Sequence, residues 1–328
     1  MKLSRRLALV GGATAASTLA SGLQPTQAQP ASVVSTRREN TGVYRRMVGR
    51  VTMTCISDGS NSFPRADGYI SNVSAEEVAK ILAADFLPTD RITLSFTPVV
   101  LETGGRLVVV DTGLGQAAFK ASKGIGGQFH GNLSAAGYDA ASVNQVLITH
   151  FHADHIGGLV TEDGTSAFPA AEIFVPAAEY AFWMDAGNEA RATSDVIREN
   201  FARARRIMGL LGSQIQKYEP DREVVPGVTS IATPGHTPGH SSFIIASGGE
   251  QAIIQGDATT HPTLSVERPD WHVWSDMDPV EAEQSRRKLY DRAAAGKILL
   301  QGFHFNFPTL GRVSKAGDGY RFVPVNWL

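Results

Sequence analysis

The sequence THFHADHIGG, residues 149–158, places three histidines and one aspartate within six consecutive positions. It directly follows an apolar run that is typical of a buried strand. Alternate residues of an extended segment point the same way, so His150 and His152 can reach one metal ion. Asp154 and His155 come after a turn and can reach a second ion. Because imidazole and carboxylate are ligands of zinc and other first-row divalent metals, the pattern predicts a dinuclear metal site.

Two metal ions need more ligands than this stretch supplies, and three further candidates follow apolar runs. His236 lies in a turn of SIATPGHTPGHSSF, Asp257 follows AIIQG, and His304 follows ILLQGF. Taken singly, His304 could be a core histidine and Asp257 a capping residue, but as a set at strand ends they are the expected remaining ligands. His240 is predicted to support the site without binding metal. Surface or pocket positions are expected for the other histidines singled out, which are His130, His261 and His272.

The N-terminal residues MKLSRRLALVGGATAASTLASGLQPTQAQP have a basic start, an apolar middle and a polar end, which is typical of an export signal. Arg5 and Arg6 favour a twin-arginine signal, cleaved after Ala28. A membrane anchor is the alternative, but the apolar stretch is short for a bilayer span. The predicted division is a signal at 1–28, an N-terminal arm at 29–48 and a single domain at 49–328. The expected location is periplasmic or secreted, with no stable membrane anchor.

Charge and cysteine content narrow the function classes. The formal net charge is -2, and removing a signal with three basic and no acidic residues takes it to -5. An acidic protein is a poor candidate for binding nucleic acid phosphates. The single cysteine, Cys55, cannot form an intramolecular disulfide and is predicted to be a buried structural thiol.

Strands predominate in the element pattern, with helices between them. Continuous apolar runs such as RLVVVDTG and VNQVLITH predict buried strands. Helices are predicted after the caps Ser74 and Asp278, the latter ending at Gly296, and over SDVIRENFARARRIMGLLG, whose apolar face includes Ile197 and Phe201. Two sheets packed face to face, with helices on their outer surfaces, fit this order.

The set THFHADHIGG, GHTPGH, GD and the late GFH resembles the metallo-β-lactamase superfamily. This resemblance implies an α/β fold, namely an αββα sandwich of two mixed β-sheets flanked by helices. It also implies a distribution of ligands, with one ion on His150, His152 and His236, the other on Asp154, His155 and His304, and Asp257 bridging. Asp111 in VVVDTG matches the family's strand-end aspartate, which supports the metal loop and is not a ligand.

A finer resemblance links the chain to the methyl parathion hydrolase family of exported dizinc phosphotriesterases, whose relatives include lactonases and aryl esterases. The stretches EYAFW, VPG, FHFNFP and GYRFVPVN carry it. It implies two divalent ions, zinc by preference, and a homodimer. Trp183 falls on an aromatic position of that family's substrate pocket, and Phe201 on another. The loop after Asp111 departs from the family, and there Phe119 or Phe129 is predicted to line the pocket.

The predicted activity is hydrolysis. Two ions can share a bridging hydroxide that attacks a carbonyl or phosphoryl centre, while Asp257 holds the ions and Asp154 or a bound water supplies a proton. Small, neutral, apolar esters are the expected substrates, aryl phosphotriesters first, with acyl-homoserine lactones as the alternative. Trp271 and Trp274, within residues 261–276, favour an apolar pocket under a lid. Two other classes stay open, namely a sulfur dioxygenase with one iron and a non-catalytic protein with a structural metal.

Overall fold

The described chain, residues 42–326 of a computed structural model, begins with a strand where a loose arm was predicted. This strand, Val43–Val48, pairs antiparallel with Val51–Ile56. Its Tyr44 and Val48 are buried, so the ordered domain begins before the predicted boundary at residue 49. In the sequence, Arg45 and Arg46 interrupt the alternation of apolar and polar residues that would have predicted this strand. The predicted signal lies outside the described residues. No helix within 42–326 is long and apolar enough to cross a bilayer.

Sixteen strands within the described residues form two seven-stranded sheets and one hairpin. In chain order they are β1 (Val43–Val48), β2 (Val51–Ile56), β3 (Gly59–Pro64), β4 (Arg91–Phe96), β5 (Val99–Thr103), β6 (Arg106–Val110), β7 (Gln145–Leu147), β8 (Glu172–Pro176), β9 (Ile215–Tyr218), β10 (Glu223–Val225), β11 (Val228–Ala232), β12 (Ser241–Ser247), β13 (Glu250–Ile254), β14 (Leu299–Gln301), β15 (Leu310–Ala316) and β16 (Gly319–Pro324). The α-helices are α1 (Ala75–Ala84), α2 (Gln116–Ala121), α3 (Phe129–Ala135), α4 (Ala153–Ile156), α5 (Ala177–Met184), α6 (Ala186–Ala190), α7 (Asp195–Leu211) and α8 (Pro279–Ala295).

Both large sheets are mixed. The first has the strand order β1-β2-β5-β6-β7-β8-β9, and its strands from β6 to β9 run parallel while the others pair antiparallel. The second runs from β10 to β16 in sequence order and is antiparallel except between β13 and β14. The hairpin β3–β4 stands apart from both sheets.

Alternation along the strands divides the core into layers. Val99 and Leu101 of β5 point between the two sheets, where they join Phe243 of β12 in one apolar cluster. Val100, between them in sequence, points to the opposite face and packs in the cluster that includes Phe201 of α7. On the far side of the second sheet, α8 packs against the faces of β12 to β14. This arrangement confirms the αββα sandwich with helices on both outer faces.

Both long helices begin at a capping side chain, and the one at Asp278 confirms a predicted cap. Ser194 Oγ accepts a hydrogen bond from Ile197 N at the start of α7, and Asp278 Oδ1 accepts one from Glu281 N at the start of α8. The glycine at 296 follows the last residue of α8. Cys55 of β2 is fully buried, and burial raises the pKa of its thiol to about 12, as expected of a structural thiol.

Shortening a core side chain tests the packing of the second sheet. Leu300 of β14 is fully buried beneath α8. We expect Leu300→Ala to lower the free energy of unfolding by about 2–5 kcal/mol, because it removes apolar contacts and leaves a cavity. Val323→Ala, at an exposed site on β16, should change it by less than about 0.5 kcal/mol. Denaturant unfolding of both variants measures the two free energies of unfolding. Equal losses would contradict the placement of Leu300 in the core and of Val323 at the surface.

Candidate metal centre

The loops that follow β7, β11, β13 and β14 bring the seven predicted metal ligands together. The first ligand group is His150, His152, His236 and Asp257, and the second ligand group is Asp154, His155, His304 and Asp257. Within each group the ligand atoms lie within 4.8 Å of one another. Asp257 belongs to both groups, so its two carboxylate oxygens can face two ions.

Several polar atoms at this centre are buried without a hydrogen-bond partner among the described residues. Nε2 of His150, Nε2 of His155 and Oδ1 of Asp257 are buried, and no hydrogen-bond partner for them exists within residues 42–326. A buried polar atom left unpaired costs about 1–3 kcal/mol. The ring nitrogens His236 Nε2 and His152 Nδ1 face each other at 2.9 Å. Imidazole nitrogens and carboxylate oxygens converging in this way fit divalent ions such as zinc.

Burial and neighbouring charges set the protonation of the ligands. Burial lowers the pKa of His152 to about 3, so its ring is neutral near pH 7. Burial acts to raise the pKa of Asp154, but the rings of His155 and His304 together outweigh it and the pKa falls to about 2. Neutral imidazole and ionised carboxylate are the metal-binding forms. Burial also acts to lower the pKa of His236, yet its bond to Asp257 helps raise it to about 9. A bound cation would take the place of that proton.

Asp111, directly after β6, connects the loop at residues 149–158 to the first sheet. Its Oδ2 accepts a hydrogen bond from His155 Nδ1 at 2.8 Å and another from Thr149 Oγ1 at 2.9 Å. Its Oδ1 accepts one from the backbone N–H of Thr149 at 2.9 Å. These bonds turn Nε2 of His155 towards the second ligand group. A carboxylate that holds a ligating imidazole in this way fixes the ring's tautomer and orientation.

His240 contacts the centre through the backbone. Its Nε2 accepts a hydrogen bond from the backbone N–H of Asp257 at 2.9 Å. Its Nδ1 lies 2.8 Å from Thr233 Oγ1 and 3.0 Å from Thr233 O. Burial lowers the pKa of His240 to about 3, which keeps Nε2 free of a proton and able to accept. The ring therefore positions the shared aspartate from behind and lies outside both ligand groups.

Sequence reasoning missed three supports of the site. Asp276 Oδ1 lies 2.9 Å from His236 Nδ1, and the same carboxylate is paired with buried Arg286. His304 Nδ1 donates a hydrogen bond to the backbone oxygen of Ser95 at 2.9 Å. The third support is Glu179, which contacts the loops of the first ligand group. Asp276 follows no apolar run as several of the ligands do, and the contact at Ser95 is made by its backbone, so neither gave a sequence signal. Glu179 does follow the apolar run IFVPAA, but the run did not indicate its role.

A cavity of about 610 Å³ opens onto both ligand groups. Its floor includes His152, Asp154, His236, Asp257 and His304. Its walls are mostly apolar and come from the hairpin β3–β4, from the start of α7 and from the loop before α8. The apolar wall residues include Phe63, Leu94, Phe96, Leu114, Trp183, Val196, Ile197, Trp274 and Met277. Lysine and arginine are absent from the described residues of this lining.

The predicted aromatic pocket is corrected in part. Trp183 lines the cavity, with its ring 6.2 Å from that of His152. Phe201 does not line it, because it points inward from α7 and packs behind Trp183. The centres of these two rings are 4.6 Å apart. Phe119 does not line it either, because it lies on α2 with 39% of its surface exposed. Phe129 is a core residue. The hairpin β3–β4 supplies the expected aromatic wall.

The predicted lid is mostly packed interior. Within residues 261–276, a π-helical turn spans Pro262–Val266, and most of its side chains are buried. Trp271 is buried in a cluster with the hairpin and α1. Trp274, by contrast, is 55% exposed and borders the cavity mouth. Only the end of the segment therefore contacts the cavity.

Comparison with known proteins places the chain in a family. Residues 97–296 match the model of the metallo-beta-lactamase superfamily. The chain belongs to this superfamily. An N-acyl homoserine lactonase from a Bacillus species is 30% identical over 173 residues, which are 48% of this chain and 61% of the lactonase. The chain thus spans less than two thirds of that relative. An N-acyl homoserine lactonase from Bacillus thuringiensis is 30% identical over 218 residues, 61% of this chain and 77% of the lactonase.

Solved structures share the fold over almost the whole chain. AidC, described as a dizinc quorum-quenching lactonase, superposes with a TM-score of 0.81 at 23% identity, covering 88% of this chain and 98% of AidC. The hydrolase AbOPH of the beta-lactamase superfamily superposes with a TM-score of 0.80 at 25% identity, covering 89% of this chain and 100% of AbOPH. At such identities the AidC likeness shows the fold alone.

Metal content tests the two ligand groups. His152 belongs to one group only, so we expect His152→Ala to retain about one zinc ion per chain after dialysis. Asp257 belongs to both, so Asp257→Ala should weaken both positions and retain less. Asp90→Ala, at an exposed aspartate, should retain two ions like the unmodified chain. Elemental analysis gives the counts, and full retention by Asp257→Ala would show that this carboxylate is not shared.

Proposed function

We propose that this protein is a dinuclear-metal hydrolase that opens the ring of N-acyl homoserine lactones. The observation that carries the proposal is the pair of ligand groups sharing Asp257 at the floor of a largely apolar cavity. Two ions in contact with one water supply, when bound, an activated nucleophile near neutral pH and polarise a carbonyl oxygen. Two groups with a shared aspartate support two ions over the single iron of a sulfur dioxygenase. The open cavity above them supports catalysis over a purely structural metal.

The cavity favours a neutral substrate with an apolar portion. Its described lining has no lysine or arginine to pair with an anion, while Asn61, Ser194 and Asn200 offer neutral hydrogen-bonding groups. An acyl amide and a lactone carbonyl can use such groups, and an alkyl tail can pack on Ile197 and Trp274. These features fit a lactone and also fit the aryl phosphotriesters expected from the sequence. The lactonase names of the relatives at 30% identity are why the lactone stands first.

The chain's own residues have separable tasks in this proposal. Asp257 holds both ligand groups together and orients whatever lies between them. Asp154 is the more open of the two aspartates, with 17% of its side chain exposed against 4% for Asp257. Because Asp154 faces the cavity, its ionised carboxylate can accept the proton of the attacking water and pass it to the leaving alcohol. The apolar walls exclude bulk water from this transfer.

A paired assay tests the substrate class. For zinc-loaded protein we expect kcat/KM for decanoyl-homoserine lactone to exceed that for a diethyl aryl phosphotriester by at least about 100-fold. The reason is that the relatives at 30% identity are named as N-acyl homoserine lactonases. His152→Ala should abolish both activities. A reversed preference would return the aryl phosphotriester to first place. Activity on neither, with two ions bound, would remove both substrates.

Chain-length dependence tests the apolar wall. Ile197 lines the cavity at the start of α7, so Ile197→Trp narrows the space for a long acyl tail. We expect kcat/KM to fall about 10-fold more for a decanoyl than for a butanoyl lactone. Leu210→Trp adds the same bulk at an exposed site of α7 and should leave both values unchanged. Equal losses for the two lactones with Ile197→Trp would mean that the tail lies elsewhere.

A further inference from the structure

Glu179 is a buried carboxylate with four hydrogen-bond donors around it. It lies in the first turn of α5 and has no exposed surface. Its Oε1 accepts from the backbone N–H of Phe151 at 3.0 Å and from Trp183 Nε1 at 2.7 Å. Its Oε2 accepts from Thr237 Oγ1 at 2.8 Å and from the backbone N–H of Gly239 at 2.9 Å. Both carboxylate oxygens are therefore fully used.

The positions of these donors give the contacts their significance. Phe151 stands between the ligands His150 and His152, and Thr237 directly follows the ligand His236. One carboxylate thus bridges the two separate loops that supply all three histidines of the first ligand group. The loop at its second oxygen carries no ligand of the second group. A change in this bridge should consequently displace the first group more than the second.

The donors around Glu179 need acceptors, which a glutamate supplies at both side-chain oxygens and a glutamine supplies at only one. Backbone and indole N–H groups only donate, so three of the four contacts need an acceptor. The first turn of a helix also favours a negative charge. A glutamine of the same shape would direct its NH₂ at a donor on either side. If its NH₂ took the Oε2 position, the Thr237 hydroxyl could turn to accept, but the bond to the Gly239 N–H would be lost.

Close packing fixes how near the His236 loop can lie to α5. A Cβ atom added to Gly239 would lie only 2.0 Å from the backbone nitrogen of Glu179. The His236 loop therefore rests directly on the backbone of α5. It can move outward if the carboxylate bonds are lost, but it cannot move closer.

Other contacts hold the second ligand group. His155 is oriented by Asp111 and His304 by the backbone of Ser95, and neither partner bonds to Glu179. We propose that Glu179 is a positioning residue that sets the spacing between the His150–His152 loop and the His236 loop, and thereby the affinity of the first metal position. This inference rests on the metal site proposed above, but it does not depend on the substrate.

Site-selective metal retention tests the proposal. The full chain is loaded with zinc and dialysed against a graded series of chelator, and zinc per chain is measured. His304→Ala leaves the first group intact, and His152→Ala leaves the second. Adding Glu179→Gln to His304→Ala should release the remaining ion at an about 10–100-fold lower concentration of free chelator. This is the usual effect of losing a group that orients metal ligands. Adding it to His152→Ala should change retention of the remaining ion much less, because the His236 loop carries no ligand of the second group.

Two further variants keep the test decisive. Glu172→Gln removes an exposed carboxylate on β8 and should change retention in neither background. Thr237→Val is nearly isosteric and removes one donor, so it should weaken the first position by a smaller factor even if Glu179→Gln unfolds. A purely structural role would lower the melting temperature of the metal-free chain. Glu179→Gln would then release the remaining ion equally easily in both histidine backgrounds, which would overturn the proposal. Two retained ions in both histidine variants would overturn the ligand assignment and this inference with it.

Discussion

An ionised carboxylate removed from water sets the central requirement of this structure. Asp257 is almost fully buried, and burying one ion without compensation costs several kcal/mol. Its oxygens lie 3.0 Å from His304 Nε2, 3.3 Å from His236 Nε2 and 3.4 Å from His155 Nε2. Burial acts to raise the pKa of Asp257, but these rings hold it well below its usual range. Neutral imidazoles cannot supply that positive charge, so the centre needs protons or, as we propose, two metal cations.

The sandwich supplies the geometry for this requirement. Strands from both sheets end at the same side of the molecule, and their loops carry ligands from positions far apart in sequence. Several ligands then have a support of their own, with Asp111 behind His155, Asp276 behind His236 and His240 behind Asp257. Such supports reduce the freedom of the ligands before a metal binds, because each buried hydrogen bond fixes a ring or a backbone segment. In the proposed function, selection among substrates then falls to the apolar walls of the cavity.

The clustering of the candidate ligands was predictable because several of them directly follow a strong local pattern. His150, Asp257 and His304 all follow apolar runs, and the same runs predicted the two sheets. Asp276 gave no such signal, because its partner lies 40 residues away in sequence and no pattern links them. The prediction of the aromatic wall was partly wrong for a related reason. Periodicity identified the inward face of α7 but not that Trp183 would stand between Phe201 and the cavity.

Anomalous diffraction from crystals of the zinc-loaded protein would test the central claim most directly. The claim is that one aspartate serves two ions, which in two-metal sites are about 3.5–4 Å apart. The account predicts two zinc peaks at about that spacing, one beside His150, His152 and His236, the other beside Asp154, His155 and His304, with Asp257 contacting both. A single fully occupied peak, or two peaks with Asp257 bound to only one of them, would contradict it.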